Sequence, residues 1–134
     1  MTYVDTSVAL AHLLGETRTP PAAFWQRPLV ASRLFEYELW VRVHARRLGR
    51  THGTAARALL ATIAIVEMTP PVLARALEPF PAPVRTLDAL HLATILYLRE
   101  RGEPVVLASY DDRMIVAARA LAIPLIDACA PPPA

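Results

Sequence analysis

Residues 1–10 read MTYVDTSVAL. Inside them Thr2, Tyr3 and Val4 form a short strand-like run that stops at an aspartate. From Ser7 to Leu14 the apolar spacing becomes that of a helix. A strand that passes directly into a helix is the opening of a strand–helix–strand unit, and the rest of the chain repeats the pattern. LVAS (29–32) reads as a second strand and leads into a long helix over 33–48, stopped near Gly49. An Ala/Leu-rich helix over 54–63 precedes a third strand, IVEM (65–68). Pro70 and Pro71 suit the first turn of a helix running to 78, where a missing N–H costs nothing. FPAPVR (80–85) is a linker. A strong helix over 86–101 carries Leu87, Leu90, His91, Thr94 and Leu98 at three- and four-residue spacings, and Gly102 ends it. VVLAS (105–109) is the clearest strand, a helix over 112–121 follows, and PLID (124–127) is a last short strand. A short helix is also expected over 22–26. Strands separated by helices need crossover connections, so the expected fold is α/β: a three-layer α/β/α sandwich around a parallel sheet of four to five short strands. The expected organisation is one domain over 1–130 with a Pro-rich, frayed tail over 131–134.

The composition narrows the function. The chain of 134 residues is 54% hydrophobic and 19% charged, which argues against disorder and for a sizeable core. All fourteen basic residues are arginine. The absence of lysine excludes a P-loop nucleotidase, a Schiff-base enzyme and a Ser–Lys hydrolase. The net charge of +2 is too small to identify a partner. No apolar run approaches the roughly 20 residues of a membrane span. No leader-like pattern opens the sequence, and the lone Cys129 cannot form an internal disulfide; the expected location is cytoplasmic, with no membrane partner.

In a parallel sheet, function gathers at the carboxyl ends of the strands. Asp5 follows the first strand and Asp111 follows VVLAS with only Tyr110 between. Asp88 begins a helix that starts from the same edge, and Glu38 lies in the helix that leaves the second strand. Asp5, Asp88 and Asp111 also lie in or beside the first turn of a helix, where a carboxylate caps free N–H groups. Glu38 has no such role. It falls in line with Leu34, Val41 and Ala45, and so is expected to interrupt a buried stripe. A carboxylate there is costly unless it is paired or bound to metal. Crowded carboxylates repel, a divalent cation removes that penalty, and oxygen-only ligands suit Mg²⁺ or Mn²⁺. The chemistry implied is metal-dependent phosphodiester hydrolysis.

The stretches YVDTSVAL (3–10), SRLFEYELWVR (32–42), RTLDALHLATIL (85–96) and SYDDRMIVAARALAIPLI (109–126) together resemble the motifs of PIN-domain ribonucleases, particularly the VapC-like toxins of bacterial toxin–antitoxin pairs. The resemblance covers nearly the whole chain in order. It implies an endoribonuclease acting on RNA with Mg²⁺, Mn²⁺ being a possible substitute, a cognate antitoxin, a homodimer and a toxin–antitoxin hetero-oligomer. It maps the family's acids to Asp5, Glu38, Asp88 and Asp111 as catalytic and metal-binding residues, with Thr6, Ser7 and Ser109 as supporting hydroxyls. Asp112 either assists a second metal or is an exposed first-turn acid. Glu36 competes with Glu38, but the two lie about 200° apart around a helix, so both cannot point into one site. The spacing from Ser32 favours Glu38.

Other polar residues carry plainer readings. His12, His44, His52 and His91 are too scattered for a metal pair. His91 shares a helix face with Asp88 and either orients that carboxylate or packs in the core. Arg46, Arg47 and Arg50 suit a helix end or an RNA backbone. Phe24, Trp25, Phe35, Tyr37 and Trp40 read as core and interface. An aspartyl-phosphate enzyme is excluded because Ser7 stands where its second acid would be and there is no lysine. The non-enzymatic alternative is a catalytically silent PIN domain that binds RNA or protein.

Overall fold

The structure, a computed structural model, describes residues 1–127. Cys129 and the tail expected over 131–134 lie outside the described residues. Four strands form one parallel sheet: β1 (Thr2–Val4), β2 (Leu29–Ser32), β3 (Ile63–Val66) and β4 (Val106–Ala108), in the order β3-β2-β1-β4. The expected fifth strand is reduced to a single parallel bridge between Leu125 and Leu107.

The helices are α1 (Thr6–Leu13), α2 (Arg33–Ala45), α3 (Gly49–Leu60), α4 (Pro70–Ala76), α5 (Thr86–Glu100) and α6 (Asp112–Ala120), with a short 3₁₀ helix at Ala22–Gln26. Strand alternation divides the core into two layers. Val4, Leu29, Ala31 and Ile63 point to one side, where Val8, Phe24, Phe35, Leu39 and Leu59 pack on them. Tyr3, Val30 and Leu107 point to the other, against Leu92, Ile95, Met114 and Ile123. The three-layer sandwich is therefore present. Among the described residues no helix is long and apolar enough to cross a membrane.

Three local readings are corrected. The long helix ends at Ala45, because Arg47 adopts a left-handed φ of 56° and Leu48 N–H bonds back to the Val43 carbonyl at 2.9 Å. Gly49 thus opens α3 rather than merely closing α2. The third strand lies two residues earlier than expected, since Ile63 is the apolar residue that pairs with Leu29 and enters the core. The supposed buried stripe of α2 is not the buried face: Leu34 is buried, but Val41 is 45% exposed and Ala45 is also exposed. The helix buries Leu34, Phe35, Leu39 and Val43 instead, which leaves Glu38 half-buried at the margin.

Because every strand runs the same way, Asp5, Ser32 and the Ser109–Asp111 segment all emerge at one edge of the sheet. The start of α5, with Asp88 in its first turn, serves that edge from the other layer.

Candidate functional site

Asp5 occupies the N-cap position of α1, yet its side chain makes no capping bond. The residue is 6% exposed, and its carboxylate is held by two seryl hydroxyls. Ser7 Oγ donates to Oδ2 at 2.6 Å and Ser109 Oγ donates to the same oxygen at 2.9 Å. Each hydroxyl in turn accepts a backbone N–H from the segment after β4: Tyr110 N–H to Ser7 at 3.0 Å, and Asp111 N–H to Ser109 at 3.0 Å. Two N–H→O–H→carboxylate relays thus tie that loop to the end of β1. Chains of this kind polarise one another in a buried setting.

Glu38 is held in a parallel manner. Thr6 Oγ1 donates to Oε1 at 3.3 Å, and His91 Nε2 bonds to the same oxygen. Behind His91 stands Tyr3, whose hydroxyl meets Nδ1 at 2.6 Å and accepts the Ser32 N–H at 3.1 Å. Burial opposes protonation of His91. The adjoining Glu38 carboxylate, with Asp5 and Asp88 further off, outweighs burial and raises its pKa above the ordinary histidine value. Burial, with Asp5 and Glu38 adding negative potential, pushes the Tyr3 phenol far up, so it acts as a neutral hydroxyl.

Asp88 is half-buried near the start of α5. Its pKa is raised first by burial, then by the negative charges of Asp111 and Asp5, with Arg85 and His91 partly offsetting. This electrostatic coupling brings Asp5, Asp88 and Asp111 into one acidic region. Asp111 is also a helix cap: Oδ1 accepts from Arg113 N–H at 2.9 Å and Met114 N–H at 3.5 Å. Asp112 is exposed in the first turn of α6. A groove of about 450 Å³ opens beside Asp88, bordered by Val84, Arg85, Asp112, Arg113 and Val116. Glu36 points elsewhere and pairs with Arg33, which also binds Glu67. No set of three acidic, histidine or cysteine side chains among the described residues is already gathered to chelate one ion.

A domain profile named PIN domain matches residues 2–120. The chain belongs to the PIN-domain family. Within that family it is VapC-like: Ribonuclease VapC47 of Mycobacterium tuberculosis is 32% identical over 126 residues, covering 89% of this chain and 90% of that protein. Solved structures agree on the fold. A toxin–antitoxin complex from Klebsiella pneumoniae matches with a TM-score of 0.63 at 14% identity, over 96% of this chain and 98% of that one. VapC20 of Mycobacterium tuberculosis, a toxin that cleaves the sarcin–ricin loop, matches with a TM-score of 0.63 at 19% identity, over 87% of this chain and 95% of that one.

The participation of Tyr3 is the feature that sequence reasoning missed in this PIN domain. His91 is buried, as a core histidine would be, but its ring meets Glu38 rather than Asp88. The available signal was the buried position of Tyr3 in a strand, because a buried phenol hydroxyl needs a partner. The partner lies 88 positions away in sequence, so only the fold identifies it.

Proposed function

We propose that this PIN domain is the toxin of a type II toxin–antitoxin pair, a Mg²⁺-dependent endoribonuclease that hydrolyses RNA phosphodiester bonds and is neutralised by a cognate antitoxin. The observation that carries this reading is the preparation of two carboxylates. Asp5 and Glu38 each have a single oxygen engaged by two side-chain donors, Oδ2 and Oε1 respectively. A carboxylate anchored through one oxygen is well prepared to offer the other as an oriented ligand.

The donor set fits a hard divalent cation. Asp5, Glu38, Asp88 and Asp111 supply oxygen only, and the proton affinity of Asp88, raised first by burial and then by the charges of Asp111 and Asp5, is of a kind that a bound cation relieves. The lack of a finished three-ligand cage is compatible with Mg²⁺, which commonly keeps several waters and binds through one or two carboxylates plus substrate phosphate. When bound, such an ion stabilises charge on the phosphate and lowers the pKa of water. The chain's own residues do the rest: Ser7 and Ser109 fix Asp5, Thr6 and His91 fix Glu38, and Asp111 divides its carboxylate between the α6 cap and the acidic region. Arg85 and Arg113, bordering the groove beside Asp88, provide cationic contacts for RNA phosphates.

For the antitoxin we infer a docking area on α2, where Tyr37 is 66% exposed and Val41 is 45% exposed one turn later. An amphipathic partner helix covers such a surface, and a basic side chain from it competes for the acids by charge-assisted pairing. The active toxin is expected to be a homodimer and the inhibited form a hetero-oligomer.

The deciding experiment is cleavage of a mixed RNA pool with Mg²⁺ or Mn²⁺, with EDTA and Asp5→Asn as controls. Cleavage by the wild type alone, abolished by EDTA, is the expected result. Equal cleavage by Asp5→Asn overturns the assignment, and RNA retention without cleavage under any metal condition favours the silent binding module.

A further inference from the structure

We propose that His91, with Tyr3 behind it, is a positioning residue that fixes Glu38 as a one-oxygen metal ligand; this rests on the metal-site reading above. The hydrogen-bond chain runs Ser32 N–H, Tyr3 hydroxyl, His91 ring, Glu38 carboxylate. Its proton directions follow from the chemistry of its ends. The Ser32 N–H can only donate, so the Tyr3 oxygen accepts there at 3.1 Å, and in the neutral ring with its hydrogen on Nε2 the phenol hydrogen is free for His91 Nδ1 at 2.6 Å. An ionised Glu38 can only accept, so the Nε2 facing it carries a hydrogen whichever charge the ring holds. Every link is then satisfied in the neutral ring.

Burial makes the arrangement costly to break. Tyr3 and Ser32 are fully buried and His91 is 1% exposed, so a lost link leaves a donor or acceptor without water to replace it.

The topology of the relay explains what it controls. Both of its ends lie on the α2 segment: Ser32 is the N-cap residue, whose own Oγ accepts from Leu34 N–H at 3.1 Å, and Glu38 is farther along the same helix. The middle members come from other elements, Tyr3 from β1 and His91 from α5. The Tyr3–His91 pair therefore acts as a strut that joins the start of α2 to the Glu38 carboxylate through the opposite layer of the fold. Thr6 reinforces it from α1 by donating to the same Oε1. The side chain of Glu38 is thereby held directly from two elements, α1 and α5, both through one oxygen, with β1 behind His91. A purely structural histidine would need only a satisfied hydrogen bond. A positioning histidine must also change how tightly the acid cluster holds an ion.

The test is Mn²⁺ binding to the purified full chain, followed by calorimetric titration, with folding checked by circular dichroism and thermal melting. His91→Leu is expected to weaken Mn²⁺ binding about 10–100-fold, the range typical of partners that orient a metal ligand. Tyr3→Phe is expected to weaken it in the same direction, and His91→Gln, whose amide nitrogen can still donate to Glu38, to recover part of the loss. Leu92→Ala, a buried neighbour on α5 outside the relay, lowers stability and leaves Mn²⁺ affinity unchanged. Asp5→Asn and Glu38→Gln separate the two levels of the argument. If neither alters Mn²⁺ binding, the metal-site reading falls and the positioning role falls with it. If both weaken it while folded Tyr3→Phe and His91→Gln bind as wild type and His91→Leu binds as wild type or does not fold, the metal site stands and the positioning role is wrong. An equal loss in Leu92→Ala also overturns the role, because general destabilisation then accounts for the effect.

Discussion

Ser7 and Ser109 present the most quantitative test of the site, because both hydroxyls converge on Asp5 Oδ2 and each relays one loop N–H. Ser109→Ala removes a bond to an acid and deprives Asp111 N–H of its acceptor. Hydrogen bonds to charged groups contribute about 1.5–3 kcal/mol each. Ser109 is only 7% exposed, so the upper part of that range applies: about 2–3 kcal/mol. Ser7 is half-exposed, water can replace part of what is lost, and about 1–2 kcal/mol is expected. For a chain of this length each kcal/mol corresponds to roughly 3–5 °C in melting temperature, so Ser109→Ala should melt about 6–15 °C below wild type. The double variant is more telling. With one serine gone the other still holds Oδ2, whereas with both gone the carboxylate of a residue that is 6% exposed loses both hydroxyl donors. The double should therefore exceed the sum of the singles, by about 0.5–3 kcal/mol as for other shared networks. Urea unfolding at neutral pH in EDTA measures all three without interference from metal. Singles within about 0.5 kcal/mol of wild type, or a strictly additive double, would show that the hydroxyls are not holding Asp5.

Three further outcomes follow from the same geometry. Glu38→Gln should abolish most RNA cleavage, while Glu36→Gln, which loses only a surface pair with Arg33, should stay near wild type and cost about 0–1 kcal/mol; the reverse order of activities would mean that α2 presents the other acid. Asp88→Asn should also end cleavage but stabilise the metal-free protein at neutral pH: a carboxyl whose folded pKa is raised loses stability as pH rises through that pKa, so the gain should vanish in acid below the ordinary aspartate range, and a gain that persists there contradicts the account of burial and charge repulsion. Tyr37→Ala and Val41→Ala should weaken antitoxin binding more than Trp40→Ala in folded protein, since Trp40 is already covered by His44 at 5.6 Å and Arg57 at 5.7 Å; pull-down affinities in the opposite order would move the docking surface to the tryptophan side.

How far the sequence reached depended on whether the deciding interaction was local. Strands β1 and β2, the proline-led α4 and α5 with its glycine stop were legible, because alternation, turn chemistry and caps act within a few residues. The break between α2 and α3 was expected near Gly49 but misplaced, because the turn is made by a left-handed arginine, Arg47, and Gly49 already opens α3. The start of β3 was misjudged for a different reason. Ile63 and Ala64 suit either a helix end or a strand, and pairing of Ile63 with Leu29 decides between them. The amphipathic face of α2 was misread because its core contacts run through Phe35, Leu39 and Val43, and a half-buried acid at the margin looks in one dimension like an interruption of the stripe.

For the acids, the competition between capping and chemistry resolves differently at each position, and hydrogen-bond accounting shows why. Asp5 stands at an N-cap but gives its carboxylate to Ser7 and Ser109 and makes no side-chain cap. Asp111 caps α6 through Oδ1 alone. Capping therefore consumes one oxygen and does not remove the acid from the site. The pattern common to Asp5, Glu38 and Asp111 is that one oxygen carries the local structural bonds. Sequence can name these acids, because Asp5 and Asp111 sit where a strand passes into a helix and Glu38 is a carboxylate within the helix that leaves the second strand. It cannot divide the two oxygens of Asp5 or Glu38 between structure and chemistry, since the donors come from the segment after β4, from α1 and from α5, and meet only when the sheet has formed.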